Sequence, residues 1–165
     1  MKPAAALVAA VLLAAAAPPP VAAPGPAPAA LPPGPEQWAI VPNMPNGSCG
    51  AKAPTQGGVD LDLLLSPHGD VSMILGSPGW KIEPRTYDLV VRLDDLAPFT
   101  FAMRGEGPGL FGVIPADFRP EFMTAGKIGF RFNETDYTIP VRNLSGVVAR
   151  LQTCIDAKMA AQPGK

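Results

Sequence analysis

The sequence is short of the residues from which most catalytic and metal sites are built. It has one histidine, His68, and two cysteines, Cys49 and Cys154, in 165 residues. A single imidazole excludes any centre that needs two, and the thiol and imidazole supply falls short of a structural zinc site. Charge is also sparse, at 16% of residues, and nearly balanced, with 13 Lys+Arg against 14 Asp+Glu. There is no basic run, so neither nucleic acid nor an anionic membrane is an expected partner, since both need clustered cations to displace counterions. No apolar run reaches the roughly 20 residues of a spanning helix.

Charge is scarcest at the start. The first 35 residues carry only Lys2 and hold ten of the 22 prolines. Lys2 followed by the uncharged stretch Ala4 to Ala17 has the form of a secretory signal, and Pro18, Pro19 and Pro20 end its helix. Residues 1–17 are read as the signal. Cleavage sites of the Ala-x-Ala type occur near Ala14 to Ala16 and again at Ala27 to Ala29, and an uncleaved N-terminal anchor is the alternative reading. Residues 18–36 are almost entirely Pro, Ala and Gly, a composition expected to form an extended, disordered linker, either a leader remnant or a tether. The expected location is periplasmic or secreted. One β-domain is expected over 37–160, with a disordered tail over 161–165.

From Trp38 onward the period is two. Val59, Leu61, Leu63 and Leu65 alternate with Asp60 and Asp62. Val71, Met73 and Leu75 oppose Ser72, and Ser66 to Asp70 has hairpin-loop chemistry. Tyr87, Leu89, Val91 and Leu93 oppose Asp88 and Arg92, then Phe99, Phe101 and Met103 oppose Thr100 and Arg104, which predicts a second hairpin turning at Asp94-Asp95. Ile128, Phe130 and Phe132 lead through Asn133-Glu134 to Tyr137, Ile139 and Val141, a third hairpin. Leu110 to Ile114 and Trp38 to Val41 are further strands. Ala116 to Ala125 reads as a short helix stopped by Gly126. Behind Ser145 as N-cap, a stripe of Val147, Val148, Leu151, Cys154, Ile155 and Met159 predicts an amphipathic C-terminal helix. The class is mainly β: an antiparallel β-sandwich or partly open barrel of about seven or eight strands with a short helix and a C-terminal helix.

Cys49 and Cys154 are expected to pair, because an exported chain with two cysteines ordinarily joins them. Closing a loop of about 100 residues contributes roughly 4–5 kcal/mol in the entropic account. Two free buried thiols are the alternative.

No catalytic constellation emerges. His68 lies in a Pro-His-Gly turn, where Ser66, Ser72 and Asp70 are too crowded for a linear relay. Gly107 to Gly112 spells G-x-G-x-x-G, but a strand follows where phosphate binding needs a helix. Asp60 with Asp62, and Asp94 with Asp95, lack the ligand spacing of a calcium loop and the facing geometry of glycosidase carboxylates. The sequons at Asn46, Asn133 and Asn143 read as turn asparagines. Trp80, after a Pro-Gly turn, either caps the core or offers a flat face to a ligand. Trp80 and His68 are therefore the candidate ligand surface, and no cofactor is expected.

The order of features has a likeness elsewhere. Trp38, Cys49-Gly50-Ala51, Gly79-Trp80-Lys81-Ile82, Tyr87 with Val91, Phe122 before Gly126, Phe130, Tyr137 with Ile139-Pro140, and Leu144-Ser145-Gly146 running into Val148, Leu151 and Cys154 resemble small secreted alphaproteobacterial proteins of unassigned function. The C-terminal strand, turn and helix are similar to those of the invasion-associated locus B family, periplasmic β-sandwich proteins. The likeness covers roughly Trp38 to Cys154 and implies an exported, stress- or envelope-associated domain. The function expected is non-enzymatic binding of an envelope or periplasmic protein through a sheet face or edge strand. A hydrolase assembled from distant residues and a carrier of a small apolar ligand in an open barrel are the alternatives.

Overall fold

The computed structural model describes residue 32 and residues 34–161. The expected leader, most of the expected spacer and residues 162–165 lie outside the described residues. Where the alternation runs, strands form: β1 (Ala39–Val41), β2 (Cys49–Lys52), β3 (Asp60–Leu65), β4 (Val71–Gly76), β5 (Thr86–Leu93), β6 (Phe99–Glu106), β7 (Gly109–Val113), β8 (Lys127–Phe132) and β9 (Thr135–Pro140). Helix α1 (Arg119–Thr124) precedes β8 and helix α2 (Leu144–Ala160) follows β9.

All nine strands pair antiparallel in one sheet, ordered β1-β2-β3-β4-β7-β6-β5-β8-β9, which curls into a half-barrel. Of the two architectures expected, this is the partly open barrel. The three hairpins turn where the sequence places them. Strand β8 returns beside β5, so β8-β5-β6-β7 has Greek-key order, with α1 in the long return connection. The ninth strand is β2, which alternation does not reveal because Cys49, Gly50 and Ala51 are all buried.

The turns show why the strands stop. Asn133 and Glu134 both take positive φ, 48° and 63°, the backbone of a two-residue I′ hairpin whose twist matches its strands. Gly107 (φ 57°) and Pro108 join β6 to β7 with the glycine in the first loop position. The three sequon asparagines, Asn46, Asn133 and Asn143, all adopt positive φ, consistent with turn positions where Asn tolerates the left-handed region.

Alternate residues of the strands fill the concave face: Leu61, Leu63, Leu75, Met73, Leu89, Val91, Met103, Leu110 and Ile128 are fully buried. Gly112 belongs to this packing, since a Cβ there would come within 3.0 Å of Met103 and Phe101. The residual cavity inside, lined by Met73, Val91, Phe99, Phe101, Ile114, Phe118 and Phe122, is only about 10 Å³, hardly room for one water.

Helix α2 closes part of the concave face. Its N-cap is Asn143 (φ 53°, ψ 55°), whose side chain accepts from the Gly146 N–H at 3.0 Å; this corrects the reading of Ser145 as cap. The left-handed backbone at Asn143 starts the helix two residues earlier. Leu144, Val147, Leu151 and Ile155 are buried, each worth roughly 1.5–3 kcal/mol of apolar burial. Met159, in the last turn, is 65% exposed, a second correction. Val148 and Cys154 are half-buried at the margins of the stripe.

Cys49 and Cys154 form the expected disulfide. Around it, Lys158 Nζ donates to the carbonyls of Ser48 (2.8 Å) and Gly47 (3.2 Å), and Arg150 Nη1 donates to the carbonyl of Trp38 (3.1 Å). Glu36, placed in the linker by composition, sits in a 3-10 turn (Pro35–Gln37) and lies 3.5 Å from Arg142. Among the described residues no helix is long and apolar enough to cross a membrane.

Candidate functional site

Trp80 and His68 flank opposite ends of β4, so the fold does not bring them together. Six residues of strand at ~3.3 Å each put roughly 20 Å between those ends. Trp80 packs on the concave face against Phe130, Phe132 and Tyr137, and its Nε1–H donates to the Tyr137 hydroxyl at 3.1 Å. The indole therefore caps the core. His68 is exposed in the β3–β4 turn, where Ser66 Oγ accepts the N–H groups of His68 (3.2 Å) and Asp70 (3.0 Å) and lies 3.2 Å from the Asp70 carboxylate. These bonds hold the loop in shape.

The paired aspartates are also explained locally. Asp94 accepts from Gly126 N at 3.0 Å and Lys127 N at 2.9 Å, tying the β5–β6 turn to the start of β8, and Asp95 meets Lys127 Nζ at 3.0 Å. Thr55 Oγ1 donates to Asp60. Asp62 faces Lys52 at 3.5 Å across β2–β3, and burial holds its carboxyl above the usual carboxylate range despite that lysine. No group of three or more His, Cys, Asp or Glu suited to a metal ion occurs among the described residues.

Asp94, Asp95 and Lys127 also line a concavity on the outer face of β5, β8 and β9. It is an open groove of about 930 Å³, whose lining includes Val90, Arg92, Leu96, Gly129, Arg131 and Thr138. The 94–98 loop forms one wall, and the floor is the polar side of three alternating strands. Arg92 is the register partner of Gly129, and Gly129 of Thr138, so these three make one row across the sheet. Val90 and Arg131 are partners in the next row.

Val90 on the floor and Leu96 on the wall are each 50% exposed, two of the four large apolar side chains exposed among the described residues. Arg131 is 4.0 Å from Asp136, the outer limit of an ion pair, while Arg92 is exposed and has no ion-pair or hydrogen-bond partner among the described residues. The groove can thus offer a guanidinium, apolar contacts and a bare strip of backbone to one ligand.

Of the lining residues the sequence singles out only the turn pair Asp94 and Asp95. Two local departures mark others: Val90 stands between Asp88 and Arg92 on the polar side of β5, and Gly129 interrupts the polar side of β8. Comparison of the chain with protein-family models, with curated proteins and with solved structures finds no match.

Proposed function

We propose that this protein is a non-enzymatic, extracytoplasmic binding domain that holds a protein of the cell envelope against the outer face of β5, β8 and β9. The carrying observation is the groove, where Val90 and Leu96 stay half exposed beside the unpartnered Arg92. Exposed apolar groups rimmed by polar ones mark contact surfaces. The disulfide supports an oxidising compartment, periplasmic or secreted. The likeness to secreted and periplasmic proteins points the same way. The filled interior weighs against the alternative of an apolar ligand carrier, since a cavity of about 10 Å³ admits no such molecule without opening the core.

The test is affinity capture from solubilised envelope with the wild-type protein and with a Val90→Asp, Leu96→Asp double variant. Both positions are on the surface, so the fold should be preserved, as circular dichroism will verify. The wild type should retain a specific protein that the variant loses. Equal retention by both would remove this face from the function.

A further inference from the structure

We infer that Asn46 is a self-modification site: the Gly47 nitrogen attacks its side-chain amide and releases ammonia, and the docked helix α2 suppresses this reaction by holding the turn left-handed. The chain has four asparagines, and only Asn46 precedes a glycine; Asn43, Asn133 and Asn143 precede Met44, Glu134 and Leu144. A following glycine has no Cβ to crowd the attacking peptide nitrogen. Pro45, Asn46 and Gly47 are exposed in a 3-10 turn (Pro45–Gly47) just before the disulfide cysteine Cys49. The Asn46 side chain makes no hydrogen bond among the described residues.

The reaction balances with water alone. The Gly47 N–H gives up its proton as its nitrogen bonds to Asn46 Cγ, the Cγ–Nδ2 bond breaks, and the amide nitrogen leaves with that proton as ammonia. One water then opens the five-membered imide, at Cγ to leave aspartate or at the main-chain carbonyl to leave isoaspartate. Both products carry a new negative charge, and the second routes the main chain through Cβ.

Backbone geometry sets when this can happen. Ring closure requires Asn46 Cβ and the Gly47 nitrogen on the same side of the Cα–C bond. At φ 57° and ψ 27° they are apart, because the left-handed backbone turns Cβ toward the residue's own carbonyl oxygen, which lies opposite that nitrogen. The turn must therefore open before the atoms can meet. Two sets of bonds keep it shut. The Ser48 N–H donates to the Pro45 carbonyl at 3.2 Å, and Lys158 Nζ, from the last turn of α2, donates to the carbonyls of Gly47 and Ser48 at 3.2 and 2.8 Å. The Lys158 bonds exist only while the helix is in place, so the rate of modification follows the fraction of molecules in which this corner is open. Isoaspartate, one carbon longer in the main chain, cannot return to the same turn, and the opening is then recorded covalently.

The experiment incubates the full oxidised chain in mildly alkaline buffer, native and in urea, and locates the mass gain of an amide turned to an acid by peptide mapping. In urea Asn46 should convert while Asn43, Asn133 and Asn143 stay intact. In the native protein Asn46 should convert about tenfold more slowly than in urea, as expected of a turn open in a minor fraction of molecules. Lys158→Met, its fold verified by circular dichroism, should raise the native rate about fivefold, the scale of charge-assisted bonds lost near the surface. No conversion of Asn46 in urea would overturn the site. Equal rates in the native and unfolded chains, or a Lys158→Met rate no higher than the wild type's, would overturn its protection by α2.

Discussion

The concave face is closed by different means in its two halves. Over β2 and β3 the cover is α2, an aliphatic ridge of Leu144, Val147, Leu151 and Ile155, fastened by the disulfide and by Arg150 and Lys158 on loop carbonyls. Among the described residues no helix covers β8 and β9. Trp80 folds in from the β4–β5 connection onto Phe130, Phe132 and Tyr137, with one hydrogen bond to fix it. The first half is held by covalent and long-range ties, the second by the ring area of residues that the strands themselves supply. The contrast teaches that the half bearing the groove on its back is, among the described residues, the one without a helical cover.

The largest test of this contrast is the disulfide. Replacing both cysteines by serine should cost roughly 3–5 kcal/mol, read by urea unfolding. Hydrogen exchange should show the amides of α2 and β2 losing protection first, while those of β8 and β9 keep theirs. Simultaneous loss of both would mean that the two halves are one cooperative unit and would break the comparison.

Trp80→Phe probes the other half, with an expected cost of about 1–2 kcal/mol from lost ring area and the lost bond to Tyr137. Exchange in α2 should stay as in the wild type. Slower or faster exchange there would show that the aromatic cap supports the helix at a distance.

The smallest effect concerns the back of the helix-covered half. Burial raises the Asp62 carboxyl above its unfolded value of 3.8, so the folded state binds the proton more tightly. That contribution is fully present below 3.8 and is lost as pH rises through the raised folded value. Asp62→Asn should remove this slope and remain within about 1 kcal/mol of the wild type at neutral pH, because the lost contact with exposed Lys52 is offset by no longer burying a charge. Parallel stability–pH curves for the two proteins would show that Asp62 is as solvated in the folded as in the unfolded chain.

How much of this was legible in the sequence depended on whether a feature repeats along the chain. The three hairpins were, because Leu61-Leu63-Leu65, Tyr87-Leu89-Val91 and Ile128-Phe130-Phe132 alternate and end at turn residues. Strand β2 was not, since burial of both its faces erases the alternation. The helix start was misplaced by two residues because the left-handed backbone of Asn143 leaves no mark in composition. The disulfide followed from a count of two cysteines in a chain read as exported. The groove was invisible for a deeper reason: Arg92, Gly129 and Thr138 lie on three strands and meet only through register, and a period-two reading assigns all three to solvent.

The disulfide also orders events in the life of the chain. With the two cysteines 105 positions apart, Cys49 leaves the ribosome long before its partner exists. It must stay reduced, and escape capture by other thiols, until nearly the whole protein has followed. The sheet has time to assemble uncrosslinked, and oxidation then records that the last helix has arrived. A chain truncated before Cys154 can never acquire that mark and keeps a free thiol at Cys49.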